Sequence, residues 1–330
     1  MKKFIYILFI MFFSVLPAAA KSIEFAIVSD SHLVPSNHPT MFTASEKNLI
    51  FTVDSINRNK NVKFVVFLGD CIDKSRMDSL QSFMNIVQNL NKPYYMVFGN
   101  HDSYSVGGVP KEEFMEFVHQ YNRRQPKKDS SFYFKAGANA YGLVADGSSY
   151  VVPGRHGRYL PELLTEIEKL LKHKKNDMIF IFQHFPLIPP NDNVSHNTLD
   201  VEPYFALLEK YHNVVLIASG HFHHKNLIVD KNGIYHISAP ALGARASSVG
   251  SGCYEIITVD YDKSIFSKPH NIKVKVKDVQ IWSFFDLMYF SAQANILSVN
   301  SWFSLRLTPE IFKTSFNLFS QNGYSSALEI

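Results

Sequence analysis

Cysteine is scarce in this chain: Cys71 and Cys253 are the only two in 330 residues. At most one disulfide is available, and sequence leaves open whether their Cα atoms come within bonding range. Cys71 directly follows a candidate metal ligand and Cys253 opens an expected strand, so free thiols are the simpler expectation. Excess charge is also lacking. Setting Lys2 and Lys3 aside leaves 31 basic against 29 acidic residues, with no basic stripe to hold a nucleic-acid polymer. Lys172, His173, Lys174 and Lys175 cluster, but they close an expected helix, where cations suit the dipole. Residues 4–16 are an uncharged apolar stretch too short for a comfortable membrane span. No cysteine follows it, which argues against a lipoprotein anchor.

With Lys2 and Lys3 before it and Ala18-Ala19-Ala20 after it, that stretch reads as a secretory signal peptide over residues 1–20. The expected mature protein is exported, periplasmic or secreted. An uncleaved N-terminal anchor is the other reading. The chain is 46% hydrophobic, ample for a large core. Residues 21–281 are expected to form one domain, and 282–330 a C-terminal extension rich in Phe, Leu and Ser. That extension reads as a cap on the sheet, or as an aromatic surface for lipid or protein.

Short apolar runs, each ending in polar residues, dominate the domain. Residues 22–29 form a strand running into Asp30-Ser31-His32. Residues i and i+2 of an extended segment point the same way, so Asp30 and His32 can reach one ion. Residues 63–68 end at Gly69-Asp70, where one carboxylate can bridge two ions. Asp73, three residues on, reads as the cap of the next helix, or as a hydrogen-bond partner of the ligands. Residues 93–98 end at Gly99-Asn100-His101-Asp102, which gathers an amide oxygen, an imidazole and a carboxylate after a glycine turn. Residues 178–182 end before His184, and residues 213–218 before Gly220-His221-Phe222-His223.

Helical spacing is expected over 44–57, 75–90, 111–121, 159–173 and 201–211. Residues 131–135 and 140–145 pair as strands. A second hairpin turns at Asn232-Gly233. Residues 271–281 alternate as a half-buried edge strand. Arg155 and His156 lie in a surface loop from which they can also meet a phosphate, and His196 reads as solvated. In layered α/β proteins ligands gather outside the carboxyl ends of strands, where all five polar blocks fall.

The series Asp30-x-His32, Gly69-Asp70, Gly99-Asn100-His101-Asp102, His184 and Gly220-His221-x-His223 resembles the calcineurin-like metallophosphoesterases over about residues 23–260. The resemblance implies a four-layer α-β-β-α sandwich of two mixed sheets. It implies two divalent or mixed-valence ions (Fe, Mn or Zn): one on Asp30, His32 and His223, the other on Asn100, His184 and His221, with Asp70 bridging. His101 would stay off the metals and help the leaving group depart, with Asp102 as its orienting partner. A bridging water, acidified by two ions, would serve as the nucleophile. Purple acid phosphatases carry a metal-binding Tyr where this chain has Asp73, so the pattern looks more like the compact bacterial phosphodiesterases, including their cyclic-nucleotide members.

The implied activity is hydrolysis of a small phosphodiester or phosphomonoester. Alternatives are a membrane-associated lipid-phosphate phosphoesterase acting through 282–330, and a binding module that kept the fold without catalysis. Sequence gives no oligomeric state.

Overall fold

Alternation along the inner strands sets the layers. In β1 (Ala19–Val28), Phe25 and Ile27 pack into one cluster while Ala26 and Val28 pack into another, and all four are buried. The same split runs through β3 (Val65–Phe67) and β4 (Tyr94–Met96). Val65, Phe67, Tyr94 and Met96 face helices, whereas Val66 and Tyr95 face a second sheet. A strand covered on both faces needs apolar residues at every position, which explains the unbroken runs in the sequence.

The structure, a computed structural model, describes residues 19–35, 42–43, 45–102, 107–148, 154–191, 196–245, 252–263 and 267–281. Most of the expected leader and the whole 282–330 extension lie outside them. β1 opens at Ala19, inside the expected leader, with Ala19 paired to Lys263 and Ala20 to Asp262.

The first sheet has the order β13-β12-β1-β3-β4, with β12 spanning Cys253–Lys263 and β13 His270–Gln280. β1, β3 and β4 run parallel, and β12 and β13 are antiparallel additions. The second sheet contains β5 (Phe132–Gly137), β6 (Ala140–Ala145), β7 (Met178–Gln183), β8 (Val214–Ser219), β9 (Asn226–Val229) and β10 (Tyr235–Ser238). Its order is β5-β6-β7-β8-β10-β9, with parallel centre strands and antiparallel edges. A short ladder joins β2 (Phe42–Thr43) to β11 (Ala244–Arg245).

Between the sheets lies an aromatic core. Phe25 stacks on Phe64 at 4.8 Å and meets Phe182 edge-on at 5.6 Å. Outside the first sheet pack α1 (Ser45–Arg58), α2 (Met77–Val87) and α3 (Lys111–Tyr121); outside the second pack α4 (Pro161–His173) and α5 (Glu202–Lys210). Their apolar faces follow helical spacing, as with Leu80, Phe83, Met84 and Val87 in α2. α4 starts with Pro at N1 and ends with Lys172 and His173, both suited to their helix ends. The chain thus forms the α-β-β-α sandwich of two mixed sheets. Among the described residues no helix is long and apolar enough to cross a membrane.

Four local readings needed the structure. Asp73 does not cap α2, whose N-cap is Arg76 without a side-chain bond. Cys71 and Cys253 are free and buried. Burial holds both thiols well above the ordinary range, Cys253 at about 12. β13 is the edge strand its alternation indicates. The opposite edge, β4, is closed by side chains: Gln125 donates to the Met96 carbonyl and accepts from its N–H, and Asn122 donates to the Tyr94 carbonyl. Unpaired backbone groups at a sheet edge need such partners when buried.

Candidate metal centre

Every metal-site residue expected from the sequence lies just beyond a strand's carboxyl end, and all but Asn100 and His184 sit on left-handed backbone there. Among the described residues seven non-glycine positions have positive φ, and five of them are Asp30, His32, Asp70, His221 and His223. Asp and His tolerate this region better than bulkier residues. Such backbone persists only where its surroundings hold it. Asp30 N–H donates to the Gly69 carbonyl, and His32 N–H to the Asp70 carbonyl. The glycines give space: a Cβ on Gly99 would lie 2.1 Å from Asp70 Oδ1, and one on Gly220 1.9 Å from Ser29 Oγ. Gly99 therefore serves close approach of the Asp70 carboxylate, more than the turn for which the sequence suggested it.

Two clusters able to hold a metal ion share Asp70. Asp30, His32, Asp70 and His223 form one, and Asp70, His184 and His221 the other. In the first, His32 Nε2 is 3.0 Å from His223 Nε2 and 3.7 Å from Asp70 Oδ2. His223 Nε2 is 3.2 Å from Asp30 Oδ1. In the second, His184 Nε2 is 3.4 Å from Asp70 Oδ2 and 3.2 Å from Asn100 Oδ1, which brings the amide in as expected.

The outward ring nitrogens test whether these residues fit an ion. His184 Nδ1 donates to the Leu68 carbonyl at 2.8 Å, and His221 Nε2 to the Arg155 carbonyl at 2.8 Å. A carbonyl only accepts, so each of those nitrogens carries a proton and the other ring nitrogen is left for the cluster. His32 Nδ1 lies 3.4 Å from Asp73 Oδ1. Fixing the outer N–H on an oxygen is how proteins orient metal-ligating histidines. Carboxylate, imidazole and amide donors suit Mn, Zn or Fe. The residues fit the metals.

The metal-free electrostatics agree at every ligand they resolve clearly except His184. Burial pushes the Asp30 carboxyl up, but His223 and His184 outweigh it and hold it at about 2. Asp70 is likewise held well below the carboxylate range by His184, His101 and His32 against its burial. Burial, reinforced by His184, drives His221 down to about 3, so its ring is neutral. Despite its burial, Asp70 and Asp30 push His184 up to about 9, so a cation would have to displace a proton there, whereas the two carboxylates are already ionised and His221 already neutral.

His101 belongs to neither of these clusters, but with His32 and Asp73 it makes a third group able to hold an ion. Its Nε2 is 4.0 Å from Asp70 Oδ2, and 37% of its side chain is exposed, whereas His184 is fully buried. The ring is oriented by Asp73: Nδ1 donates to the Asp73 carbonyl at 2.5 Å and lies 3.7 Å from its carboxylate. Despite burial, Asp70 and Asp73 hold the His101 pKa above its ordinary value.

Asp102 has a different task from the one expected of it. Its oxygens accept the N–H groups of Ile72 and Gly99 at 3.1 and 3.0 Å, which pins the Asn100-His101 turn to the loop after Asp70. The reason is geometric: Asp102 is buried beneath the turn, while Asp73 flanks the imidazole. Burial and the nearby Asp70 push Asp102 up to about 6.

The rim comes from loops whose placement only tertiary structure reveals. His196 is partly buried, its ring 5.4 Å from His221 and 6.2 Å from Phe222. Arg155 is exposed and contributes its carbonyl, while His156 Nδ1 donates to the Asn197 carbonyl at 2.9 Å. His224, which sequence gave no role, is exposed.

A model of the calcineurin-like phosphoesterases matches residues 23–225. A probable cyclic nucleotide phosphodiesterase of Xenorhabdus bovienii is 23% identical over 216 residues, 61% of this chain and 81% of that protein. A 3',5'-cyclic adenosine monophosphate phosphodiesterase of Haemophilus influenzae is 23% identical over 218 residues, 65% of this chain and 74% of that protein. The crystal structure of a dimetal phosphatase from Danio rerio superposes with a TM-score of 0.57 at 15% identity, covering 79% of this chain and 98% of that one, and so speaks for the fold. The matched span contains every strand end that carries a donor, and by that match the chain belongs to the calcineurin-like phosphoesterase family, as a metal-dependent phosphoric ester hydrolase.

Proposed function

We propose that this chain is an exported phosphodiesterase that hydrolyses small phosphate diesters with two metal ions. One observation carries the reading: two donor clusters meet at Asp70, and His101 stands 4.0 Å from the same Asp70 oxygen with an exposed ring. Asp30, His32 and His223 would hold one ion, and Asn100, His184 and His221 the other. When bound, the pair supplies Lewis acidity to the phosphoryl oxygens and makes a water nucleophilic at neutral pH.

The chain's own residues do the rest. His101 Nδ1 keeps its proton on the Asp73 carbonyl. The raised pKa favours a second proton on Nε2, placed to pass to the departing ester oxygen. Asp102 fixes the turn that carries Asn100 and His101. Diesters are favoured because the relatives that support the reading are named as cyclic nucleotide phosphodiesterases. Export rests on the leader-like residues 1–20.

The test is hydrolysis of bis-p-nitrophenyl phosphate and p-nitrophenyl phosphate after chelation and add-back of Mn, Zn or Fe. Metal-dependent activity with the diester preferred supports the reading. Metal binding without turnover on either ester would point instead to a non-catalytic binding module.

A further inference from the structure

We propose that His196 and Phe222 form a subsite that seats a planar aromatic group of the substrate against the mouth of the metal centre. The proposal rests on the phosphodiesterase reading and assigns the residues that recognise the organic half of the ester.

The geometry is specific. Phe222 lies between His221 and His223 in the chain, meeting the His221 ring edge-on at 5.5 Å. His196 comes from a different loop yet stands within ring distance of both His221 and Phe222, its plane tilted 60° to that of Phe222. Both rings are partly exposed beside a ligand whose outer nitrogen is fixed on Arg155.

Their positions are set before any ligand arrives. Phe222 sits between two residues with left-handed backbone, His221 at φ 71° and His223 at φ 55°, and its N–H donates to the Gly220 carbonyl. The loop carrying His196 is strapped to the Arg155 loop by the His156–Asn197 bond and by Leu199 N–H to the Gly157 carbonyl at 2.8 Å. Thr198 Oγ1 ties it to the Pro186 carbonyl at 2.7 Å. Rings held in place bind with less ordering cost, and stacking accepts any planar ring because every ring has a π-face. The charged and titratable groups acting on His196 are Arg155, His156 and His223. All are cationic when charged, which suits a ring attached to a phosphate.

Phenylphosphonate and methylphosphonate share an anionic head and differ by the ring, so binding can be read without turnover. Calorimetric titration of the manganese-loaded full chain should show phenylphosphonate about tenfold tighter. His196→Ala should bring the phenyl-to-methyl ratio near one, and His196→Phe should keep it. Phenyl p-nitrophenyl phosphate and methyl p-nitrophenyl phosphate release the same leaving group. With these the KM preference for the phenyl ester should collapse in His196→Ala while the kcat ratio holds, a split that a purely structural role would not give. A wild-type binding ratio near one, or a ratio unchanged in both His196→Ala and Phe222→Leu, overturns the subsite. Ring-selective binding without hydrolysis of either diester would retain the subsite and sink the phosphodiesterase reading.

Discussion

Asp30 and Asp70, at the ends of β1 and β3, shed their protons readily; Glu255 on β12, opposite Asp278 on β13, does the reverse. All except Asp278 are deeply buried. Burial alone would raise every buried carboxyl, so the difference lies in the company. Asp30 and Asp70 face His32, His101, His184 and His223. Glu255 faces the Asp278 carboxylate, whose Oδ2 is already held by Lys225 at 2.5 Å. Among the described residues no donor reaches either Glu255 oxygen. Burial and Asp278 push it up to about 8. Asp30 and Asp70 are arranged to receive metal cations, whereas Glu255 satisfies its electrostatics by keeping a proton.

The largest expected effect comes from disturbing the first pair. Asp70→Asn leaves the shape and removes the charge both clusters share, so hydrolysis should fall at least roughly a thousandfold, with loss of bound metal. His101→Ala should separate catalysis from metal binding: kcat should drop roughly 10²–10⁴-fold while metal content, measured by elemental analysis, stays near wild type. A variant that loses its metals as well would move His101 into the ligand set. Asp73→Asn should lower kcat by about tenfold to a hundredfold and shift the pH–rate profile, because the carboxylate flanking His32 and His101 is gone. An unshifted profile would deny Asp73 that role.

The second pair gives a stability test. The folded pKa of Glu255 is about 8, above its ordinary 4.5. The folded chain therefore binds more protons than the unfolded chain between those values, and stability falls as pH rises through that window. Glu255→Gln should raise the melting temperature at pH 8, by a few kcal/mol in free energy at most, and change it little near pH 4. Equal gains at both values would show that Asp278 and Lys225 already neutralise the site. A smaller effect is expected for Gln125→Ala, which opens the β4 edge and should cost about 1–3 kcal/mol, read by denaturant melts.

The donors were legible in sequence because the signal is local. An apolar run followed by Asp-x-His or Gly-Asn-His states both the strand end and the chemistry, and β1, β3, β4, β7 and β8 deliver their residues to one place. Legibility failed where the partner is chosen by three-dimensional packing. Asp73 has a helix cap's position in the chain but flanks two imidazoles. Asp102 adjoins His101 in sequence yet reaches backbone N–H groups beneath the turn. His196 lies in a polar stretch legible as a rim loop but reads there as solvated, because only the strap to the 154–158 loop brings it over His221.

The central claim is that two ions share Asp70. The direct measurement is metal stoichiometry after chelation and manganese titration of the full chain, beside Asp70→Asn. Two ions per wild-type chain, with binding of both weakened in the variant, is the expected result. A single ion per chain, or two ions bound as tightly in Asp70→Asn as in wild type, would contradict it.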